Sequence, residues 1–297
     1  MRLNICHSSG KFKRKIQFLF FIVFLISIIF LLKNVQFYIM KLRFNYWRYQ
    51  RSYFLTKLLD FPELDEFVEE NPVLSYFHAI GNNSIKCNEV LKVDKFENDE
   101  TYLCVEKNFD LEKNNCLVYS FKVDYTWTFE DNIASQYGCI VRTFIPSMGT
   151  NYVIQRPSNV LFYSIGLGKF DEVSLEGWKF QRLSTMIRNF NEEFRVIDVL
   201  FIDIDFGEWD AFESMIEDQL LFFVKQLIFQ SHTEDVLNRP TTARSFIRFW
   251  KIWKTLYNIG FRQWRSGNLS TGYHKSIQYS PSQPCCAVHY LVNIHYL

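Results

Sequence analysis

The sequence has no excess of charge of either sign. It carries 33 lysine and arginine residues against 32 aspartate and glutamate residues, which gives a formal net charge of +1. Proteins that bind nucleic acid typically have a strongly basic surface, because they must neutralise phosphates. The composition therefore gives no indication of a nucleic-acid partner.

Several sequence signatures of known sites are also missing. The chain has no glycine-rich phosphate-binding loop, no serine nucleophile elbow and no cysteine and histidine spacing typical of zinc sites. It has no internal repeat and no low-complexity tract either. Apolar residues are plentiful, since 48% of the residues are hydrophobic and 31 are phenylalanine. This composition is sufficient for a large core in one or two domains.

One long stretch near the beginning of the chain is free of charge. Residues 16–32 read IQFLFFIVFLISIIFLL, and residues 35–40 extend the apolar span. As a helix the first stretch alone would rise about 25 Å, close to the ~30 Å core of a bilayer. No small-residue cleavage site follows it, which favours a retained anchor over a cleaved signal peptide. We predict a transmembrane signal anchor at residues 16–40.

The charges and sequons that flank this anchor predict its orientation. Residues 1–15 form a basic tail, which favours a cytoplasmic position, although basic residues also follow the anchor. Beyond the anchor lie two glycosylation sequons, at Asn82 and Asn268, and six cysteines. We expect a single-pass type II membrane protein with its body in the Golgi or endoplasmic reticulum lumen. Residues 41–84 would form a stem.

The best-defined element within the predicted body is a buried strand. Residues 194–212 read FRVIDVLFIDIDFGEWDAF, and the apolar run is typical of a strand covered on both faces by helices. Acidic residues follow the strand, namely Asp203, Asp205 and Glu208. In open α/β sheets, ligands bind beyond the carboxyl ends of the strands. The acidic cluster is therefore the first candidate for a functional site.

Strands and helices alternate on both sides of this element. Further strands are predicted at residues 116–121, 139–145, 160–165 and 225–230, and helices at 128–137, 175–190, 209–221 and 242–259. Two final strands, at residues 261–265 and 287–294, have no helix between them. The pattern predicts an α/β domain over residues 85–297, with a mostly parallel, doubly wound sheet and a terminal antiparallel hairpin.

A shorter hairpin is predicted at the beginning of this domain. Residues 85–93 and 101–105 read as two strands around a turn-rich segment. Cys87 and Cys104 bracket this hairpin and are the strongest candidates for a disulfide. The partners of the other cysteines cannot be deduced from sequence.

Three segments of the domain together resemble a known family. Residues 116–147 read CLVYSFKVDYTWTFEDNIASQYGCIVRTFIPS, and they are followed by IDVLFIDIDFGEWDAF and later by QLIFQSH. These segments resemble animal methyltransferase-like proteins related to FkbM-type methyltransferases, and the resemblance covers residues 87–294. It implies a Rossmann-like fold that binds S-adenosylmethionine. The methyl acceptor, whether a small molecule, a glycan or a protein, is not indicated.

The same resemblance implies where the cofactor is bound. The corresponding positions lie after the first two strands, early in the first helix and after the central strand: Ser120, Phe121, Lys122, Asp124, Glu130, Pro146, Ser147 and Asp205. Glu130 also fits an acid that favours a helix N-terminus. The resemblance assigns no metal ligands.

Two of these positions depart from the family pattern. Lys122 stands where family members have glycine, so a side chain is added where the backbone must approach the cofactor. Ile145 stands where they have the aspartate that binds the ribose hydroxyls. Losing a hydrogen bond to a charged group costs about 1.5–3 kcal/mol. Asp124 is the candidate substitute for that acid.

The catalytic candidates are Asp203, Glu208 and His232. Methyl transfer is an in-line displacement, so the protein positions the acceptor and removes its proton. Asp203 or His232 would act as the general base. Glu208 would face substrate or cofactor, although Glu208 followed by Trp209 equally fits the beginning of a helix.

Two other functions fit part of the same pattern. Asp203-Ile204-Asp205 is an Asp-x-Asp motif, which in a secretory-pathway glycosyltransferase would bind a divalent metal and a nucleotide sugar. That interpretation leaves residues 116–147 and His232 unexplained. A non-catalytic binding domain that retains the fold without the cofactor is the third hypothesis.

Overall fold

The computed structural model describes residues 66–93, 100–148, 156–233, 241–268 and 285–297. All of these residues belong to one unit, Leu58–Leu297. The predicted basic tail and signal anchor lie outside the described residues. Within the described ranges, no helix is both long enough and apolar enough to cross a membrane.

Strands and helices alternate over most of the described chain. The strands are β1 (Val90–Lys92), β2 (Tyr102–Cys104), β3 (Leu117–Lys122), β4 (Ile140–Phe144), β5 (Val160–Tyr163), β6 (Ile165–Leu167), β7 (Glu172–Val173), β8 (Lys179–Gln181), β9 (Ile197–Asp203), β10 (Val224–His232), β11 (Phe261–Asn268) and β12 (Cys286–Asn293). The α-helices are α1 (Glu66–Glu70), α2 (Pro72–Gly81), α3 (Thr128–Tyr137), α4 (Leu183–Asn189), α5 (Glu208–Glu217) and α6 (Ala243–Ile259). Short 3₁₀ helices occupy Leu220–Phe223 and Ile294–Tyr296.

The central sheet has seven strands in the order β11-β12-β10-β9-β3-β4-β5. Strands β5, β4, β3, β9 and β10 are parallel, and β12 runs antiparallel to both β10 and β11. Every residue of β3 and all but the last residue of β9 are buried, as expected for strands covered on both faces. The predicted parallel sheet with a terminal antiparallel hairpin is confirmed.

The long helix α6 begins and ends where the sequence predicts. The Thr242 hydroxyl caps its first turn by accepting a hydrogen bond from the Ser245 backbone N–H, and Gly260 ends it with a φ of 120°. Its aromatic face also packs against α2, where the ring of Tyr76 lies 5.7 Å from Phe246 and 5.8 Å from Phe249. Residues of the predicted stem therefore contribute a packed helix to this unit.

Disulfides join neighbouring parts of the fold. Cys87 and Cys104 are bonded, which confirms the pair predicted from the first hairpin. A second bond joins Cys116 and Cys139, at the beginnings of the adjacent strands β3 and β4. The adjacent residues Cys285 and Cys286 form a third.

The predicted helix over residues 175–190 is wrong in its first half. Only Leu183–Asn189 is helical, while Lys179–Gln181 forms β8 in a small three-stranded sheet with β6 and β7. Gly177 adopts a φ of 83°, which a right-handed helix does not allow. The side chain of Trp178, which supplied part of the predicted apolar face, is 41% exposed. The helical periodicity there did not correspond to burial.

Candidate functional site

The candidate site lies at the carboxyl ends of the parallel strands. From β3 the sheet extends through β4 to β5 in one direction and through β9 to β10 in the other, so the strand order reverses between β3 and β9. Such a reversal leaves a crevice in which α/β proteins bind ligands. Lys122 and Asp203 are register partners at this point. The sequence-predicted site residues lie around it.

Lys122 is buried, and its ammonium group folds back over the loop that follows β3. Its side chain is only 6% exposed. The Nζ group donates hydrogen bonds to the backbone carbonyl and, at 3.1 Å, to the hydroxyl of Thr126. It also lies 3.1 Å from Asp124 Oδ1 and 3.6 Å from Glu130 Oε1. The lysine therefore joins the loop to the first turn of α3.

Glu130 is a fully buried acid in the first turn of α3. The Ser120 hydroxyl donates a 2.6 Å hydrogen bond to its Oε1 atom, whereas its Oε2 atom has no hydrogen-bond partner among the residues that the structure describes. Burial raises the pKa of Glu130, and the charge of Lys122 and the hydrogen bond from Ser120 oppose that rise. A buried carboxylate with one free oxygen can receive a donor or a cation from a ligand.

The end of β4 is apolar where the family pattern has an acid. Ile145 is 1% exposed and clusters with Trp127 and Met148. Next to this cluster, Ser147 Oγ lies 3.2 Å from the hydroxyl of the exposed Tyr125. No carboxylate therefore follows β4 at this position to accept hydrogen bonds from a ribose.

A second group of polar residues lies beyond β9 and β10. His232 donates its backbone N–H to Glu208 Oε1 at 2.6 Å, and its Nδ1 atom lies 3.2 Å from the same oxygen. Its Nε2 atom lies 3.8 Å from Asp205 Oδ1. The chain reverses between β9 and α5 through Asp205 and Phe206, whose φ values are 47° and 77°. Positive φ at two residues other than glycine is an unusual backbone conformation of the kind found at functional sites.

Burial and neighbouring charge shift the pKa values on this side of the crevice. Burial raises the pKa of Asp203 to about 6, and His232 acts in the opposite direction. Burial alone would lower the pKa of His232, but the hydrogen bond to Glu208 and the charges of the two aspartates raise it above its ordinary value. Both groups therefore have a pKa above the ordinary value of their side chain.

The structure brings most of the predicted site residues together at the carboxyl ends of the central strands. Lys122 contacts both Asp124 and Glu130, and Glu208 contacts His232. Two predicted cofactor contacts lie beneath this surface: Ser120 is fully buried, and the fully buried Phe121 stacks on Phe144 with ring centroids 4.6 Å apart. Pro146 and Ser147, half-buried, lie at the end of β4.

Sequence reasoning missed two residues of the loop after β3. Thr126 holds the lysine, and Trp127 packs on Ile145, yet neither was a candidate. The available signal was the aromatic segment YTW between β3 and α3, which is unusually bulky for a loop. An aromatic side chain that packs on the end of a strand can line a ligand crevice, just as a charged side chain can.

Comparison with known proteins identifies a related family and one related human protein. The sequence model of a family described as "Methyltransferase domain" matches residues 45–265. Human probable methyltransferase-like protein 24 is 24% identical over a 209-residue alignment, which covers 64% of this chain and 56% of that protein. The chain therefore spans a little over half the length of this relative.

Two archaeal structures show a distant similarity to this chain. Fibrillarin from Aeropyrum pernix, solved with natively bound S-adenosyl-L-methionine, is 11% identical, with 61% of this chain and 68% of that chain covered and a TM-score of 0.34. The fibrillarin pre-rRNA processing protein from Methanococcus jannaschii is 10% identical, with 70% and 84% covered and a TM-score of 0.34. Neither similarity is close enough to compare individual site residues.

Proposed function

The chain belongs to the methyltransferase-domain family, and we propose from this premise that it binds S-adenosylmethionine in the crevice between β3 and β9. We further propose that it transfers the cofactor's methyl group to an acceptor at the ends of β9 and β10. The relation to FkbM-type enzymes stays a prediction.

The observation that carries this proposal is the excess of acid around the crevice. Five carboxyl groups surround the crevice, and among the described residues the cationic groups that act on them are Lys122 and His232. The carboxyl groups belong to Asp124, Glu130, Asp203, Asp205 and Glu208. S-adenosylmethionine carries a sulfonium and an ammonium group, so its methionine end is the part that an acidic crevice attracts. The free Oε2 atom of Glu130 supplies a buried acceptor for that end. The methionine side of the site therefore fits the cofactor.

The ribose side fits less well. The buried Ile145 offers no acceptor for the ribose hydroxyls, and Asp124 is already engaged by Lys122 and by the Thr126 hydroxyl. One missing hydrogen bond to a charged group corresponds to a loss of roughly tenfold to a hundredfold in affinity. We therefore expect binding that is weak, with the cofactor held chiefly through its cationic end.

The chemistry of methyl transfer divides the crevice into two sides. S-adenosylmethionine supplies an electrophilic methyl group when it is bound. On the β3 side, Glu130 and Lys122 set the charge and shape of the cofactor pocket. On the other side, Asp203 and His232 are placed to hold the acceptor and the proton that it releases.

We also propose that this domain is held in the secretory lumen by the predicted signal anchor. Disulfides between Cys87 and Cys104 and between Cys116 and Cys139 fit an oxidising compartment. The sequon residue Asn82 is exposed, as a glycosylated asparagine must be. Protease protection of the expressed chain in sealed microsomes tests this topology. Digestion of the domain in intact vesicles would contradict it.

Calorimetry of the purified full-length chain tests the catalytic proposal. S-adenosylmethionine is titrated first. A nucleotide sugar is titrated separately, with manganese at the same concentration in cell and syringe, so that the heat reports binding of the sugar. We expect heat of binding from S-adenosylmethionine alone. Binding of only the nucleotide sugar would support glycosyl transfer instead, and no binding of either ligand would support a non-catalytic domain.

A further inference from the structure

We propose that Asp203, Asp205 and His232 form a binding site for a divalent cation, with Mn²⁺ as its preferred ion. The site lies on the acceptor side of the crevice, at the ends of β9 and β10. Cation binding itself does not depend on methyl transfer. The role given to the cation below does rest on the proposed function.

The three side chains converge on one point. One ligand atom from each, two carboxylate oxygens and an imidazole nitrogen, lies within 4.8 Å of the others. Ligands of a small divalent ion stand about 2.1 Å from it, so opposite ligands are about 4.2 Å apart. The observed separations thus require only small side-chain rotations to close on an ion. Asp203 and His232 end two adjacent strands, and Asp205 lies in the turn that follows the first of them.

The hydrogen bond between His232 and Glu208 leaves the Nε2 atom of His232 available to bind a cation. An ionised carboxylate can only accept, so the contact between Nδ1 and Glu208 Oε1 places the proton of a neutral imidazole on Nδ1. The lone pair of Nε2 then faces Asp205. Metal-binding histidines commonly donate their second ring N–H to a carboxylate, which orients the ring and increases its basicity. Glu208 has this relationship to His232.

A second, independent observation at Glu208 favours a cation here. Glu208 has no exposed surface, and its Oε2 atom has no hydrogen-bond partner in the described residues. A buried carboxylate is costly unless a cation or several donors compensate it. Lys122, a cation on the cofactor side of the crevice, is engaged by Thr126 and Asp124. An ion held by His232 would provide the missing charge directly beside Glu208.

The donor set selects the kind of ion. Two carboxylates suit Mg²⁺, Ca²⁺ and Mn²⁺, whereas an imidazole nitrogen favours a transition metal. Mn²⁺ accepts both ligand types, and three protein ligands leave positions open on it. We infer that an oxygen of the acceptor takes one of these positions, so the acceptor class is a compound with a metal-binding hydroxyl group.

The cation gives that hydroxyl a way to lose its proton. With the ion bound, Asp203 and His232 would serve as its ligands and not as the proton acceptor. Coordination would lower the pKa of a bound hydroxyl, and the proton would leave to solvent. The resulting oxygen forms a bond to the methyl carbon while the carbon–sulfur bond breaks. The electron pair of that bond goes to sulfur, which turns the sulfonium into a neutral thioether. No oxidant or reductant is involved.

Manganese binding by the purified full-length chain tests the site. The chain is treated with a chelator and dialysed, and free Mn²⁺ is then followed by electron paramagnetic resonance during a titration. We expect saturable binding that weakens at least tenfold in Asp205→Asn and in His232→Gln. Asp210→Asn is the matched control, because Asp210 is an exposed acid paired with Arg248 and lies outside the cluster. Circular dichroism verifies that each variant is folded.

The outcomes separate this site from the proposed function. Absence of saturable Mn²⁺ binding, or an equal loss in Asp210→Asn, overturns the cation site. Calorimetry with S-adenosylmethionine on the metal-free chain reports the cofactor separately. Binding of Mn²⁺ without S-adenosylmethionine supports the cation site and contradicts methyl transfer. If the chain binds S-adenosylmethionine but shows no saturable Mn²⁺ binding, the result supports methyl transfer and contradicts the cation site.

Discussion

Lys122 and Asp203 occupy paired positions at the ends of β3 and β9, where the strand order of the sheet reverses. The lysine turns toward the loop after β3, while the aspartate faces His232 and the residues after β9. This pair therefore divides the crevice into a cofactor side and an acceptor side.

The buried contact between Lys122 and Glu130 should be visible as a pH-dependent stability. Removing one partner of a buried ion pair costs about 3 kcal/mol, so Lys122→Met should lower the free energy of unfolding by about that amount near pH 7. Burial raises the pKa of Glu130 above its unfolded value, so the cost of its unpaired charge disappears as the pH falls through the folded pKa. Urea unfolding at about pH 7 and about pH 5 measures the difference.

The double variant Lys122→Met/Glu130→Gln is the control for this pair. It removes the buried charge together with its partner, so it should recover most of the stability lost near neutral pH. If the double variant were as unstable as Lys122→Met, the loss would come from packing and not from charge.

His289 should make the fold less stable in mild acid. Burial lowers the pKa of His289 to about 3, and its Nδ1 and Nε2 atoms contact Gln263 and Ser231 at 2.8 and 2.9 Å. Below about pH 6.5 the unfolded chain gains a proton here that the folded chain does not, so stability falls with pH. Between pH 7 and 5 this difference amounts to about 2 kcal/mol.

The comparison of wild type with His289→Asn isolates this effect, because other titrating groups are common to both proteins. Urea unfolding should show a steeper loss of stability in wild type between about pH 7 and about pH 5. Parallel losses in the two proteins would assign the pH dependence to other residues.

The disulfides should contribute unequally to stability. The Cys116–Cys139 bond spans 23 residues, whereas Cys285–Cys286 spans 1. A disulfide that closes a loop of about the length between Cys116 and Cys139 stabilises a fold by about 3 kcal/mol. The bond between Cys285 and Cys286 closes almost no loop. Thermal unfolding of the two paired cysteine-to-serine variants should therefore show a much larger fall in Tm for the first pair. Equal falls would contradict this entropic account.

The fold was more predictable from sequence than the site. Strands such as β3 and β9 are continuous apolar runs, and α6 carries both an N-terminal cap and a terminating glycine, so local chemistry determines them. Residues 175–182 were misassigned because the apolar spacing around Trp178 resembles a helix, while Gly177 interrupts it. Apolar spacing alone does not distinguish a true helix such as α6 from a segment such as residues 175–182.

The site could be predicted only in outline. The topology of parallel sheets predicts that the acidic residues after β9 lie in a crevice. The contact between Glu208 and His232 joins residues from two separate elements, and the position of Lys122 depends on a backbone carbonyl of Thr126. Neither contact has a sequence signal, because each depends on the final packing of the chain.

The position after β4 provides the most direct test of the cofactor site. Calorimetric titration of S-adenosylmethionine into wild type, Ile145→Asp and the uncharged control Ile145→Asn compares the three proteins, with circular dichroism to verify folding. The restored acid should tighten binding by roughly tenfold to a hundredfold, and the asparagine should tighten it less, since hydrogen bonds to charged groups are stronger. An unchanged affinity in folded Ile145→Asp would contradict the placement of the cofactor in this crevice.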